Sequence, residues 1–134
     1  MIALTNQALV RLYQHIGGEA QLEAILKTFY ERMSQDLMLH HFFIGKDLNH
    51  IAQMQKRFLM KAMGATPSYS GLAPADAHKQ IPDILKGHFD RRLLLLRQVL
   101  EEFKLDADQI EVWIRFENAF RSGIVTEEKG GKVP

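Results

Sequence analysis

The sequence predicts an all-α protein. Apolar residues recur at the three- and four-residue spacing of amphipathic helices along most of the chain, and no stretch of strict apolar–polar alternation marks a half-buried strand. With 134 residues, 46% of them hydrophobic, the chain is long enough for one domain with a real core. We expect a single domain over residues 1–124. The polar, glycine-containing segment 125–134 is expected to be a disordered tail.

Composition narrows the classes of partner and chemistry. Lys and Arg number 17 against 16 Asp and Glu, so the net charge does not indicate binding to nucleic acid or to an anionic membrane. The absence of cysteine excludes a disulfide framework, a thiolate nucleophile and a cysteine zinc site. The N-terminus lacks the pattern of a secretion signal, and no run approaches the roughly 18 apolar residues of a membrane span. We therefore expect a cytoplasmic protein.

The first part of the chain predicts helices separated by short breaks. Gly17 and Gly18 stop the first helix and permit a sharp turn, and residues 36–46 are predicted to form a turn or a broken helix. The predicted helices cover 6–15, 19–35 and a segment that runs from a cap at Asp47 or Asn49 to Met63.

The second part begins with a segment that helix breakers dominate. Residues 64–73 are rich in glycine, serine and proline, and such segments inside a small domain are often functional. Pro74 suits the first turn of a helix and Pro82 ends it, so this helix has only about two turns, roughly 12 Å. Two long helices are then predicted over 87–104 and 107–122.

Two polar residues stand where apolar ones are expected. Gln55 lies mid-face on the third helix between Ile51 and Phe58, and Tyr30 borders the apolar face of the second helix. Each alone is more simply explained as a side chain that bonds to backbone or water. Together they form a pair of donors that could meet in one pocket, and this pair indicates a ligand that accepts hydrogen bonds.

His78 is the third departure from a plain helical bundle. A lone histidine near an apolar surface is more often structural than a metal ligand, but imidazole is also the usual proximal ligand by which helical proteins hold haem iron. That hypothesis places His78 on one wall of a pocket and Tyr30, Phe43 and Gln55 on the others.

The other five histidines are weaker candidates for a metal ligand than His78. No His-Glu-x-x-His pair for zinc is present. His40 and His41 are expected in a solvated turn, and His50 is expected to face outward from its helix. His15 and His88 lie at predicted helix ends, where capping or surface roles are the default expectation.

An ordered set of short segments resembles the truncated haemoglobins, most closely their first group. The segments are LYQHIGGEAQLEAILKTFYERM, LHHFF, HIAQMQKRFLMKAMG, YSG, AHKQI and HFD, and they span residues 12 to about 90. The resemblance implies a truncated globin fold. In that fold, two antiparallel helix pairs pack around haem, and the proximal helix is very short.

The resemblance also implies roles for individual residues. His78 becomes the proximal iron ligand, and Tyr30 and Gln55 become the distal donors to the iron's ligand. The implied cofactor-binding residues are Phe29, Phe43, Ile51, Phe58, Tyr69 and Lys79.

The chain departs from the family pattern at some positions. Ala65 replaces a usual glycine, and the segment KQIPDI after His78 is one residue longer than usual and contains proline. Arg92 stands where another group of the family has a tryptophan that lines the pocket. We expect the extra residue to rotate Arg92 outward, and we assign it no role.

The resemblance implies a haem b protein that reversibly binds oxygen and other diatomic ligands. It further implies oxygen transport or the oxidation of nitric oxide to nitrate, with an unidentified reductase as partner. We expect a monomer with no nucleic-acid or membrane partner. Two alternatives stay open: a haem-based redox or peroxidase-like enzyme or gas sensor, and a helical interaction module without a cofactor.

Overall fold

The structure is a computed structural model that describes residues 3–66 and 83–126. Within these ranges all regular secondary structure is helical, as predicted. The helices are α1 (Asn6–Ile16), α2 (Glu19–Gln35), α3 (Leu48–Ala62), α4 (Lys86–Glu102), α5 (Ala107–Asn118) and the short α6 (Arg121–Ile124). A single 3₁₀ turn, His40–Phe42, lies between α2 and α3.

Local capping explains why the helix boundaries could be predicted. The Thr5 hydroxyl accepts a hydrogen bond from the backbone N–H of Ala8, and the Asp47 carboxylate accepts one from the backbone N–H of His50. Gly17 ends α1 in the left-handed region at φ 97°, where a residue without a Cβ is favoured. The predicted bounds of α1, α2 and α3 agree with the structure to within about a residue.

The helices form two packed pairs. The first pair is α2 with α3, the second is α4 with α5, and α2 also packs against α4. Trp113 of α5 is completely buried in the core that these helices share. Leu95 and Leu96 of α4 are buried too, whereas Leu94 is 45% exposed, so one side of α4 faces solvent.

The last long helix is shorter than predicted. The sequence predicts a helix to residue 122, but α5 ends at Asn118 and a turn leads into α6. This turn lets the Phe120 ring pack against the rings of Phe58 and Phe116, with centroid distances of 5.6 and 5.2 Å. Aromatic packing outweighs continuation of the helix here.

Ion pairs connect the helices. Lys56 of α3 is buried, and its ammonium bonds to Glu19 and Glu23 of α2 at 2.9 and 2.8 Å. Asp36, which follows α2, accepts two hydrogen bonds from the Arg91 guanidinium of α4, at 2.9 and 2.7 Å. These contacts hold α2 against α3 and α4.

Some predictions fall outside the described residues. They concern the short helix at 74–81, most of the breaker-rich segment 64–73 and most of the tail at 125–134. Where the chain is described near the tail, Val125 is buried and the backbone N–H of Thr126 donates to the carbonyl of Ile84 at 2.9 Å. In the two described ranges, none of the helices combines the length and apolar character needed to cross a bilayer.

The contact between Asp36 and Arg91 predicts a pH-dependent contribution to stability. The guanidinium holds the pKa of Asp36 below its ordinary value. Since the folded-state pKa is lowered, the contribution is full above the unfolded pKa of about 3.9 and is lost as pH falls through the folded pKa. Asp36→Asn removes this ion pair and should lower the free energy of unfolding at pH 7. The loss should be only about 1 kcal/mol, because Arg91 is one-third exposed and solvent screens the pair.

Urea unfolding of both proteins at pH 7 and at about pH 3 measures this difference. The control is Glu111→Gln, which removes an exposed pairing with Arg97 at 3.5 Å and should have little effect at either pH. A loss on Asp36→Asn that is as large at the acid pH as at pH 7 contradicts the assignment.

Candidate functional site

A cavity of about 460 Å³ lies between α2, α3, α4 and α5. Its volume falls within the range of about 300–1,000 Å³ that small-molecule and cofactor sites occupy. Most of its wall is apolar, and many of the side chains are aromatic. The apolar lining residues are Met33, Leu39, Phe42, Phe43, Ile51, Met54, Phe58, Ile84, Phe89, Phe116, Phe120 and Ile124.

Tyr30 is the polar residue that α2 contributes to the cavity. Its side chain is 7% exposed, and its ring packs against the rings of Phe29 and Phe43 at centroid distances of 5.4 and 6.1 Å. Burial raises the pKa of the Tyr30 hydroxyl, and this outweighs the lowering effect of nearby Arg92. The hydroxyl is therefore neutral and keeps its proton to donate.

One face of α3 carries the next group of predicted site residues. Ile51, Gln55 and Phe58 follow one another at helical spacing, and all line the cavity. Gln55 is half-buried, and its amide is a polar group in this part of the cavity wall. The structure thus brings Gln55 and Tyr30 together on one cavity from two helices.

The remaining predicted residues divide into two sets. Phe29 is completely buried behind Tyr30 and does not itself line the cavity. His78, Tyr69 and Lys79 lie outside the described residues, so their predicted roles stay predictions.

Arg92 corrects an expectation from the sequence. The prediction that it rotates outward is wrong, because Arg92 lines the cavity and its side chain is only 21% exposed. Its Nη1 donates to Oε1 of Glu117 at 2.5 Å, and its Cζ lies 5.1 Å from the centroid of the Phe29 ring. Glu117 of α5 supplies the countercharge that keeps the guanidinium inside.

Glu117 is itself held in place by a second donor. The indole Nε1 of Trp113, one helical turn earlier on α5, donates to Glu117 Oε2 at 3.2 Å. Burial alone would lower the pKa of the Arg92 guanidinium, but Glu117 and Tyr30 together raise it above its ordinary value. Arg92 is therefore a permanent cation beside the Tyr30 hydroxyl.

Other polar residues at the cavity follow the sequence prediction more closely. His88 acts as a cap, since its Nδ1 accepts a hydrogen bond from the backbone N–H of Leu85 at 2.9 Å, and it also lines the cavity. His50 and Lys46 are exposed and border the cavity at its rim. His40 and His41 are exposed in the 3₁₀ turn, as expected.

The sequence did not reveal that Arg92 pairs with Glu117 at the cavity, although it contained a weak signal for Glu117. Glu117 follows Trp113 by one helical turn on a helix that is otherwise largely buried. A carboxylate at that spacing can accept from the indole, but its cationic partner lies on another helix. Periodicity within one helix therefore could not reveal the pair.

Comparisons with known proteins agree on one family. The family described as bacterial-like globin matches residues 11–125. A group 1 truncated haemoglobin of Synechocystis sp. is 35% identical over 102 residues, which is 74% of this chain and 82% of that protein. One from Tetrahymena thermophila is 30% identical over 99 residues, covering 74% of this chain and 80% of that protein.

Solved structures give the same result for the fold. The 2/2 haemoglobin of Synechococcus sp. PCC 7002, in the cyanomet state with covalently attached haem, superposes with a TM-score of 0.78 at 25% identity. The Fe(III) form of a truncated haemoglobin from Tetrahymena pyriformis gives a TM-score of 0.78 at 26% identity. Each comparison covers 85% of this chain and 97% of the other.

Glu117 is buried and the Arg92 side chain is only 21% exposed, so removal of either partner should destabilise the folded protein. Arg92→Met leaves a buried carboxylate without its cation and should lower the free energy of unfolding by about 3–5 kcal/mol. The double variant Arg92→Met/Glu117→Gln should recover most of this loss, since the amide oxygen still accepts from Trp113. Chemical denaturation of the single and double variants measures the coupling.

Arg97→Met is the matched control on the same helix. Its partner is Glu111, both side chains are more than 40% exposed, and the loss should stay below about 0.5 kcal/mol. Equal effects of Arg92→Met and Arg97→Met would contradict a buried pair.

Proposed function

Because the chain belongs to the group 1 truncated haemoglobins, a family of haem-binding globins, we propose that the cavity beside Tyr30 and Gln55 is its haem pocket and binds oxygen reversibly. The observation that carries the proposal is that Tyr30 and Gln55, from two different helices, line the same cavity. Other small diatomic ligands, including nitric oxide, would enter the same space.

The residues present fit a haem. The cavity volume and its largely apolar, aromatic wall suit a flat hydrophobic macrocycle, with Phe43 and Phe58 as rings to pack against it. The exposed rim residues Lys46 and His50 could meet carboxylate groups at the edge of such a molecule. Tyr30 and Gln55 suit a ligand of which one end carries partial negative charge.

Haem supplies the iron that takes a diatomic ligand, and the chain's residues determine how firmly that ligand is held. The Tyr30 hydroxyl and the Gln55 amide are placed to donate hydrogen bonds to a ligand with partial negative charge. Each strong bond of this kind contributes about 1.5–3 kcal/mol. The surrounding aromatic side chains make the wall weakly polar, which strengthens these bonds.

We extend the proposal to the oxidation of nitric oxide to nitrate. Oxygen held firmly by Tyr30 and Gln55 would meet nitric oxide inside the same cavity. This activity needs an electron donor, and a reductase is the partner we propose for it. The cytoplasmic location and the monomeric state stay predictions of the sequence.

The two alternative functions differ in whether the protein binds a cofactor. A helical module without a cofactor does not agree with a family whose cofactor is haem. A haem-based redox enzyme or gas sensor would use the same cavity, and it stays the second hypothesis. We rank it lower because Tyr30 and Gln55 are donors suited to holding a ligand.

Tyr30→Phe tests the distal assignment. The change removes one hydroxyl while it keeps the ring that packs on Phe29 and Phe43, so the oxygen dissociation rate should rise about ten- to a hundredfold. Stopped-flow measurement of oxygen release from the ferrous protein gives the rate. Tyr13→Phe is the control, because Tyr13 belongs to α1 and is not among the residues that line the cavity. An unchanged rate in Tyr30→Phe would remove this residue from the site.

His78→Gly tests the proposed proximal ligand. If His78 binds the iron, the variant should retain haem poorly, and added imidazole should restore the absorption spectrum of the wild-type protein by filling the space of the lost side chain. His40→Gly provides a control at an exposed histidine. An iron spectrum that is identical in His78→Gly and the wild-type protein would overturn the assignment.

A further inference from the structure

Arg92 is a cation in a wall that is otherwise mainly aromatic and aliphatic. Its head group is fixed from several sides: Glu117 accepts from Nη1 at 2.5 Å, and the Phe29 ring faces Cζ at 5.1 Å. Tyr30 lines the same cavity as Arg92, and the nearby guanidinium acts against the rise in the pKa of the Tyr30 hydroxyl that burial causes. A head group held in this way needs little rearrangement to meet a ligand.

The donor capacity of Arg92 exceeds what these contacts use. A guanidinium carries several N–H groups in a planar fork, and the bond to Glu117 occupies one edge of it. The other N–H groups belong to a side chain that lines the cavity together with Tyr30.

The carboxylate limits but does not cancel this positive charge. Glu117 is 6% exposed and divides its oxygens between Arg92 and the Trp113 indole. Glu117 lines the cavity as well, so the cavity meets the ion pair of Arg92 and Glu117 beside the neutral side chains of Tyr30 and Gln55.

We propose that Arg92, oriented by Glu117, is a third donor to the ligand in this cavity and that it selects small monoanions over neutral diatomic molecules. The selected class has the size and charge of azide, fluoride or nitrite. This inference rests on the proposed haem pocket and adds a determinant of ligand specificity. A charge-assisted bond is about twice as strong as one between neutral groups, so an anion gains more from Arg92 than a neutral ligand does.

The test uses the haem-loaded protein and equilibrium titrations followed by visible absorption. Sodium azide and sodium fluoride are titrated into the ferric protein, and carbon monoxide, a neutral probe, into the ferrous protein. Arg92→Met should weaken azide and fluoride binding about ten- to a hundredfold, while carbon monoxide affinity changes by less than about threefold. Arg97→Met, which changes an exposed arginine of the same helix, should leave all of these affinities unchanged.

Glu117→Gln supplies a test in the opposite direction. The amide keeps an acceptor for Trp113 but removes the countercharge, so anion binding should become several-fold tighter. Arg92→Lys keeps the positive charge but lacks the planar guanidinium. Its anion affinity should lie between those of the wild-type protein and Arg92→Met. If Arg92→Met does not fold, anion titrations of Glu117→Gln and Arg92→Lys still test whether Arg92 binds the anion.

The outcomes separate this inference from the proposed function. Parallel changes in azide, fluoride and carbon monoxide affinity, or unchanged anion affinity in Arg92→Met, would overturn the role of Arg92 but leave the pocket intact. Weaker anion binding in Glu117→Gln would also overturn it. Failure of the proposed pocket would appear separately, as an oxygen release rate that Tyr30→Phe does not alter.

Discussion

The buried contact between Arg92 and Glu117 determines how α4, α5 and the cavity between them can be arranged. A guanidinium inside an apolar wall is tolerated only when a carboxylate compensates its charge, and Glu117 does so at 2.5 Å. Trp113, which is completely buried, fixes the carboxylate by donating to its second oxygen. Tyr30 lines the same cavity, where the nearby guanidinium acts against the rise in the pKa of its hydroxyl.

The cavity combines two kinds of hydrogen-bond donor. Tyr30 and Gln55 are neutral and come from the α2–α3 pair, whereas Arg92 is charged and comes from the α4–α5 pair. A neutral donor stabilises any ligand that accepts a hydrogen bond. A cation adds a preference for ligands that carry a full negative charge. The two helix pairs therefore contribute different properties to one site.

Features that depend on local sequence could be predicted. Thr5, Gly17 and Asp47 act on their own backbone neighbours, so the bounds of α1 to α3 follow from short-range rules. The pairing of Tyr30 with Gln55 followed from helical spacing on two apolar faces. Arg92 and Glu117 are 25 residues apart, and their pairing depends on how two helices face each other. That information lies in tertiary packing, which local spacing does not contain.

Titration of haem into the haem-free protein tests most directly whether this cavity is the haem site. Trp113 is the single tryptophan of the chain, and it bonds to Glu117, which lines the cavity. A haem there would accept its excitation energy. The account predicts that the Soret band grows and the Trp113 fluorescence falls together, both ending at one haem per chain. A Soret band that grows without quenching of Trp113, or no band at all, would contradict it.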